Sequence, residues 1–135
     1  MISIIDYDGG NYKSVLNILK KLRFNFELTN ESKKILNSEK IILPGVSHFG
    51  YCIKSLRSLN LDKILKEAVF EKNIQILGIC SGMQILGTYS EEGNIEGLNF
   101  IDGNVKKIHG NKYFRVPHMG WNKVKTENNL LFNKI

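Results

Sequence analysis

Apolar positions along this chain follow two alternating periods. Short continuous runs at Ser3 to Asp6, Asn25 to Thr29, Lys40 to Leu43 and Ile74 to Ile79 predict four strands. The third is expected to stop at Pro44-Gly45. Between the first two, Val15, Leu16, Ile18, Leu19 and Leu22 recur at helical spacing with lysines among them. Ser32 to Ser38 predicts a short helix with Ile35 and Leu36 facing inward. Ile53, Leu56, Leu59, Ile64, Leu65 and Val69 carry a helical pattern broken near Asn60. Gly82 to Tyr89 predicts the start of another helix.

Strands alternating with helices imply an α/β fold, a mostly parallel sheet with helices on both faces. Sites in such sheets lie beyond the carboxyl ends of the strands. Three turn-rich loops fall there: Asp8–Asn11, Pro44–Gly50 and Gly78–Gly82. After Gly93 the chain is richer in turns, as in Gly97-Leu98-Asn99-Phe100-Ile101-Asp102-Gly103, and Trp121 to Val124 predicts a further strand. This tail reads as a β-rich elaboration of the same domain.

Composition narrows the function classes. The 135 residues suffice for one domain with a core, and 42% hydrophobic with 24% charged residues is ordinary for a soluble protein. No apolar run approaches membrane-spanning length, and Met1-Ile2-Ser3-Ile4-Ile5-Asp6 meets an acid too soon for a signal peptide. Two cysteines without a framework fit a reducing cytoplasm. The net charge of +6 raises a nucleic-acid reading, but the lysines are interleaved with acids and form no basic stripe. Solvated faces account for them better. No metal and no cofactor is called for.

The chemistry concentrates in Leu77-Gly78-Ile79-Cys80-Ser81-Gly82-Met83-Gln84. An apolar strand running into Gly-x-Cys-x-Gly and then a helix has the form of a nucleophile elbow. Flanking glycines let backbones approach closely. A thiol at a helix N-terminus is favoured as thiolate, and the Ser81 N–H is placed to face a developing oxyanion. Cys52, in Tyr51-Cys52-Ile53-Lys54, reads instead as a small buried hydrophobe.

Several segments together resemble the class I (triad) glutamine amidotransferases, a flavodoxin-like fold. They are Asp6-Tyr7 with Gly10-Asn11, Leu43-Pro44-Gly45-Val46 with Phe49-Gly50, the Cys80 elbow, Ser90-Glu91-Glu92-Gly93, and Pro117-His118-Met119-Gly120-Trp121-Asn122. The last segment points to the glutaminase subunits of imidazole glycerol phosphate synthase. The resemblance implies that Cys80 attacks the glutamine carboxamide and that the N–H groups of Ser81 and Val46 form the oxyanion hole, Val46 after a loop adjustment. It implies that Gly45, Gln84 and Glu92 hold glutamine. It also implies that ammonia passes to a (β/α)₈ cyclase partner across a surface near Asn11, His118, Met119, Gly120, Trp121 and Asn122.

The same resemblance implies that the family domain runs on for a substantial stretch beyond the matched part. That stretch holds a catalytic His followed by a Glu. Residues 1–135 are therefore expected to be the N-terminal portion of the domain, a C-terminally truncated form with a sheet edge and apolar surface exposed. The histidines present, His48, His109 and His118, do not match the family's base. Smaller departures are Asp8 and Ser47, where glycine is usual, Ser81, where leucine is usual, and an insertion at Lys107–Val116. Two other functions stay open at this point. One is a paralogue supplying ammonia for surface-sugar amidation, and the other is a catalytically dead chain.

Overall fold

The computed structural model describes residues 1–113 and 115–125. Element order is β1 (Ile2–Ile5), α1 (Tyr12–Lys21), β2 (Phe26–Thr29), α2 (Ser32–Leu36), β3 (Lys40–Gly45), α3 (Phe49–Ser58), α4 (Leu61–Lys66), β4 (Gln75–Cys80), α5 (Ser81–Gln84), β5 (Tyr89–Ser90), β6 (Ile95–Glu96) and β7 (Asn104–Val105). Strands β1 to β4 form one parallel sheet in the order 2-1-3-4, the flavodoxin-like winding. A small sheet of order 6-5-7 follows, so the turn-rich tail does carry short strands.

The two faces of the main sheet are covered differently. On one, Ile4 and Ile42 pack with Leu19, Val15 and Leu16 of α1. On the other, Ile5, Ile41 and Leu43 join Ile35 of α2, Phe49, Cys52, Ile53 and Leu56 of α3, and Leu61 and Leu65 of α4. The predicted strands read as unbroken apolar runs because both faces of the central strands are buried. Ile18 and Leu22 belong to the apolar pattern of α1 but lie on its outer side, both exposed.

The break at Asn60 is real. Asn60 takes a left-handed conformation, φ 56°, between α3 and α4, a conformation asparagine tolerates better than most residues. A π-turn over Glu67–Glu71 then closes α4, with the Lys72 N–H reaching the Glu67 carbonyl at 3.1 Å.

Three expectations need correction. Pro44 does not end β3, which runs on to Gly45. Pairing with β1 stops at Ile42, so Pro44 lies where β3 has a neighbour on one side only, and a missing N–H is tolerated there. The helix expected from Gly82 to Tyr89 is the single turn Ser81–Gln84. Beyond it the carbonyls of Ile85, Leu86 and Gly87 accept from Leu98, from Phe100 and Ile101, and from Asn99, at 2.8–3.0 Å. Those bonds divert the chain into β5. Trp121 to Val124 is not a strand, since no strand among the described residues pairs with it, and both end residues are exposed.

Strand β4 has one sheet neighbour among the described residues. Register places Ile2, Ile42, Leu77 and Ile79 on the α1 face. Helix α1 covers only the β1 side of it. Leu77 is 46% and Ile79 39% exposed, beside a hollow of about 720 Å³ lined by Ile2, Lys40, Ile42, Gln75 and Leu77. Among the described residues, β4 is thus a sheet edge with an exposed apolar strip beside it.

Candidate active site

The elbow is built by close backbone contact. Strand β4 ends on Cys80 at φ 56°, ψ −121°, and the chain turns at once into α5. A Cβ on Gly82 would lie 1.8 Å from the Leu43 carbonyl oxygen, and one on Gly78 would lie 2.5 Å from Met83 Cα. Only glycine lets α5 sit this low on β3 and β4. Cys80 is thereby lifted out of the sheet and is exposed, whereas Cys52 is fully buried in the core. Burial pushes the Cys52 thiol above its ordinary range. The Ser81 N–H is the first of α5 and has no partner within the helix.

A cavity of about 640 Å³ opens next to the elbow at the carboxyl ends of the strands. Its lining includes Val46, Ser81, Gln84 and Glu92, so four of the sequence-derived site residues converge. Cys80 is one residue from the lining. Gly45 lies beneath the elbow, paired in register with Cys80, and a Cβ there would meet the Gly82 amide at 2.5 Å. The segment from His118 to Asn122 does not line the cavity. It is exposed throughout, with Trp121 fully accessible and the Asn122 amide nitrogen 2.5 Å from His118 Nε2. Asn11, also exposed, sits at the N-cap of α1 without a side-chain cap bond.

Two carboxylates and two lysines share the cavity wall: Glu91, Glu92, Lys106 and Lys107. Glu92 Oε2 accepts the Phe49 N–H at 2.8 Å, and His48 Nδ1 accepts the Gly50 N–H at 3.1 Å. Together they satisfy two of the first amides of α3, which the helix itself leaves unpaired. The Lys107 N–H donates to Glu91 Oε2 at 2.8 Å, joining the tail to the Ser90–Gly93 turn. Lys106 and Lys107 were not singled out by the sequence, whereas His48 fell near the site through the Pro44–Gly50 loop and Glu91 through the Ser90-Glu91-Glu92-Gly93 match.

The Val46 amide is engaged. It donates to the Gly9 carbonyl at 2.9 Å, across from the elbow loop. Tyr7, fully buried, donates its hydroxyl to the Pro44 carbonyl at 2.6 Å and so ties the first loop to the second. Burial drives the Tyr7 phenol far above its ordinary range, so it stays a donor. Tyr7→Phe should therefore cost about 1–3 kcal/mol, the penalty for an orphaned buried carbonyl. A urea titration checks this, and an unchanged midpoint would remove Tyr7 from the scaffold of the site.

A cysteine at a strained strand-to-helix turn, over the carboxyl ends of a parallel sheet, defines an α/β protein of the nucleophile-elbow class. The profile of the CobB/CobQ-like glutamine amidotransferase domain matches residues 6–126. The imidazole glycerol phosphate synthase subunit HisH 2 of Methanococcus maripaludis is 42% identical over 125 residues, 93% of this chain and 62% of that protein. The corresponding HisH subunit of Leptospira interrogans is 40% identical over 138 residues, covering 98% and 68%. That of Staphylococcus aureus (strain Mu50) is 39% identical over 131 residues, covering 97% and 66%. The chain belongs to the HisH family of glutamine amidotransferases. It spans 62–68% of the length of these relatives. A solved putative peptidase E from Listeria monocytogenes EGD-e superposes with a TM-score of 0.62 at 14% identity, over 75% of this chain and 62% of that one. That likeness is one of fold alone.

Proposed function

We propose that this chain is the nucleophile-bearing part of a glutaminase subunit that feeds ammonia to the cyclase of an imidazole glycerol phosphate synthase in histidine biosynthesis. The observation that carries the reading is the φ 56° elbow at Cys80 in a chain about 40% identical to HisH subunits. The Cys80 sulfur adds to the glutamine carboxamide carbon. The resulting oxyanion is held by the Ser81 amide and, once it leaves Gly9, the Val46 amide. The C–N bond breaks as the nitrogen takes a proton, and ammonia departs. Water then adds to the glutamyl thioester, the C–S bond breaks, and glutamate leaves.

The cavity supports this substrate. Its volume of about 640 Å³ accepts a free amino acid, and its wall offers both signs of charge for a zwitterion. Gln84 and Glu92 line it, and with Gly45 they are the residues that would hold glutamine. The chemistry needs a base, and none of His48, His109 and His118 matches the family's base; the test below reads whether this chain with its partner supplies one. Asn11, His118, Met119, Gly120, Trp121 and Asn122, all exposed, are the residues that would meet the cyclase, with the large accessible Met119 and Trp121 as anchors. The compartment of this reading is the cytoplasm, whose reducing conditions keep an exposed thiol such as Cys80 free. No helix among the described residues is long and apolar enough to cross a membrane.

The test is ammonia release from glutamine by this chain mixed with the cyclase subunit of the same cell, with mass analysis of the Cys80 peptide. The expected result is a glutamyl adduct on Cys80 that forms only with glutamine. Absence of both adduct and ammonia, with a cyclase that still turns over free ammonia, would overturn the proposal and leave a catalytically dead chain.

A further inference from the structure

The Val46 amide carries one hydrogen, and Gly9 holds it. It serves an oxyanion only after that bond opens. What secures Gly9 therefore governs the second half of the oxyanion hole. The base of the Asp8–Gly10 turn is fixed from inside. The Tyr7 N–H donates to the Tyr12 hydroxyl at 3.0 Å, and the Tyr7 carbonyl accepts from the Ser55 hydroxyl. A Cβ on Gly9 would lie 2.2 Å from the Tyr7 ring, so this residue is wedged in place.

The tip of the turn is held from outside by a bond between two side chains. The Tyr51 hydroxyl donates to Asp8 Oδ2 at 2.7 Å, across 43 positions of sequence. Tyr51 lies in the first turn of α3, the helix that begins three residues after Val46. The bond to Asp8 pushes the Tyr51 phenol above its ordinary range, which keeps its proton on the donor. Asp8 takes φ 62°, a conformation glycine would adopt without penalty. A carboxylate there gives the turn a partner that glycine could not.

We propose that Asp8 and Tyr51 are positioning residues that clamp the Asp8–Gly10 turn and hold the Val46 amide on the Gly9 carbonyl. The inference rests on the reading of Val46 as an oxyanion donor, and deepens it. The clamp ties the turn to α3, and α3 is pinned at its start by Glu92 and His48. Opening the Gly9 bond by moving the turn thus also works against its bond to α3.

Amide hydrogen exchange of Val46, read by NMR on the full chain, tests the clamp. Tyr51→Phe should speed Val46 exchange roughly three- to fivefold, the effect of one accessible hydrogen bond, while Ile42 at the centre of β3 keeps its rate. Asp8→Asn, which retains an acceptor oxygen, should stay close to the native rate. An unchanged Val46 rate, or a rise shared by Ile42, would overturn the proposal. The catalytic reading is tested in parallel by alkylation of Cys80 with a glutamine-shaped chloromethyl ketone, in which sulfur bonds the chloromethyl carbon and chloride leaves. Iodoacetamide, which generates no oxyanion, is the reference. Tyr51→Phe should raise the ketone rate alone. Faster Val46 exchange without that rise would establish the clamp and overturn the oxyanion role of Val46.

Discussion

Cys80→Gly should raise the thermal midpoint of this chain and, on the proposed reading, abolish glutamine chemistry together. Cys80 sits at φ 56°, ψ −121°, a region that side chains with a Cβ rarely enter. Holding a non-glycine residue there costs on the order of 1–3 kcal/mol. Glycine removes that cost but loses about 0.5–1 kcal/mol to the extra freedom of the unfolded chain. The net gain is about 1 kcal/mol, or roughly 3–5 °C in a domain of this size. Because the thiol is exposed, no core packing is lost with it. Cys80→Ala separates the two effects. It deletes the proposed nucleophile, which should lower turnover by at least about 10³-fold, yet it keeps the Cβ and so keeps the strain. Calorimetry on the native chain and both variants, with ammonia release measured alongside, checks both halves. If the glycine and alanine variants melt together, the elbow stores no strain, and its shape is merely the local path of the backbone.

The sequence made the central layers legible because their physics is local. Ile4-Ile5 and Ile41-Ile42-Leu43 are buried on both faces, so their runs are unbroken, and the stripes on α1 and α3 carry helical spacing. Asn60 showed the break between α3 and α4 for the same reason. What failed depended on partners far away in the chain. Gly82 to Tyr89 has the residues of a helix, but the carbonyls of Ile85, Leu86 and Gly87 are taken by residues 98–101. Pro44 looks like a stop, and its tolerance depends on where β1 ends its pairing. In the site, motif and resemblance picked out Cys80, which the structure puts exposed at the turn, and Gln84 and Glu92, which line the cavity. The capping of α3 by Glu92, and the engagement of Val46 by Gly9, are contacts between loops with no signature in either one. Lys106 and Lys107 reach the cavity only through the small sheet that β5 and β7 make.

Gly82→Ala should be the most damaging single methyl in the described chain. The added Cβ would stand 1.8 Å from the Leu43 carbonyl oxygen, 2.8 Å from its carbon and 3.0 Å from that of Pro44. All three are backbone atoms of β3, a strand paired along its whole length with β4. No side chain can swing aside to make room. Relief comes only if α5 lifts from the sheet, which takes Ile85 and Leu86 out of the core and moves Ser81 from its place beside the cavity. Overpacking against a rigid neighbour costs about 1–3 kcal/mol, and the lost burial brings the expected total above about 3 kcal/mol. Gly103→Ala is the matched control, because a Cβ there meets nothing within 4 Å. It should change stability by no more than about 0.5 kcal/mol. Urea unfolding of both variants gives the comparison, and iodoacetamide labelling of Cys80 reports whether the elbow has moved. Equal midpoints for the two alanine variants would mean that β3 and α5 are not in the contact that raises Cys80 from the sheet, and the structural case for its role as nucleophile would fall with it.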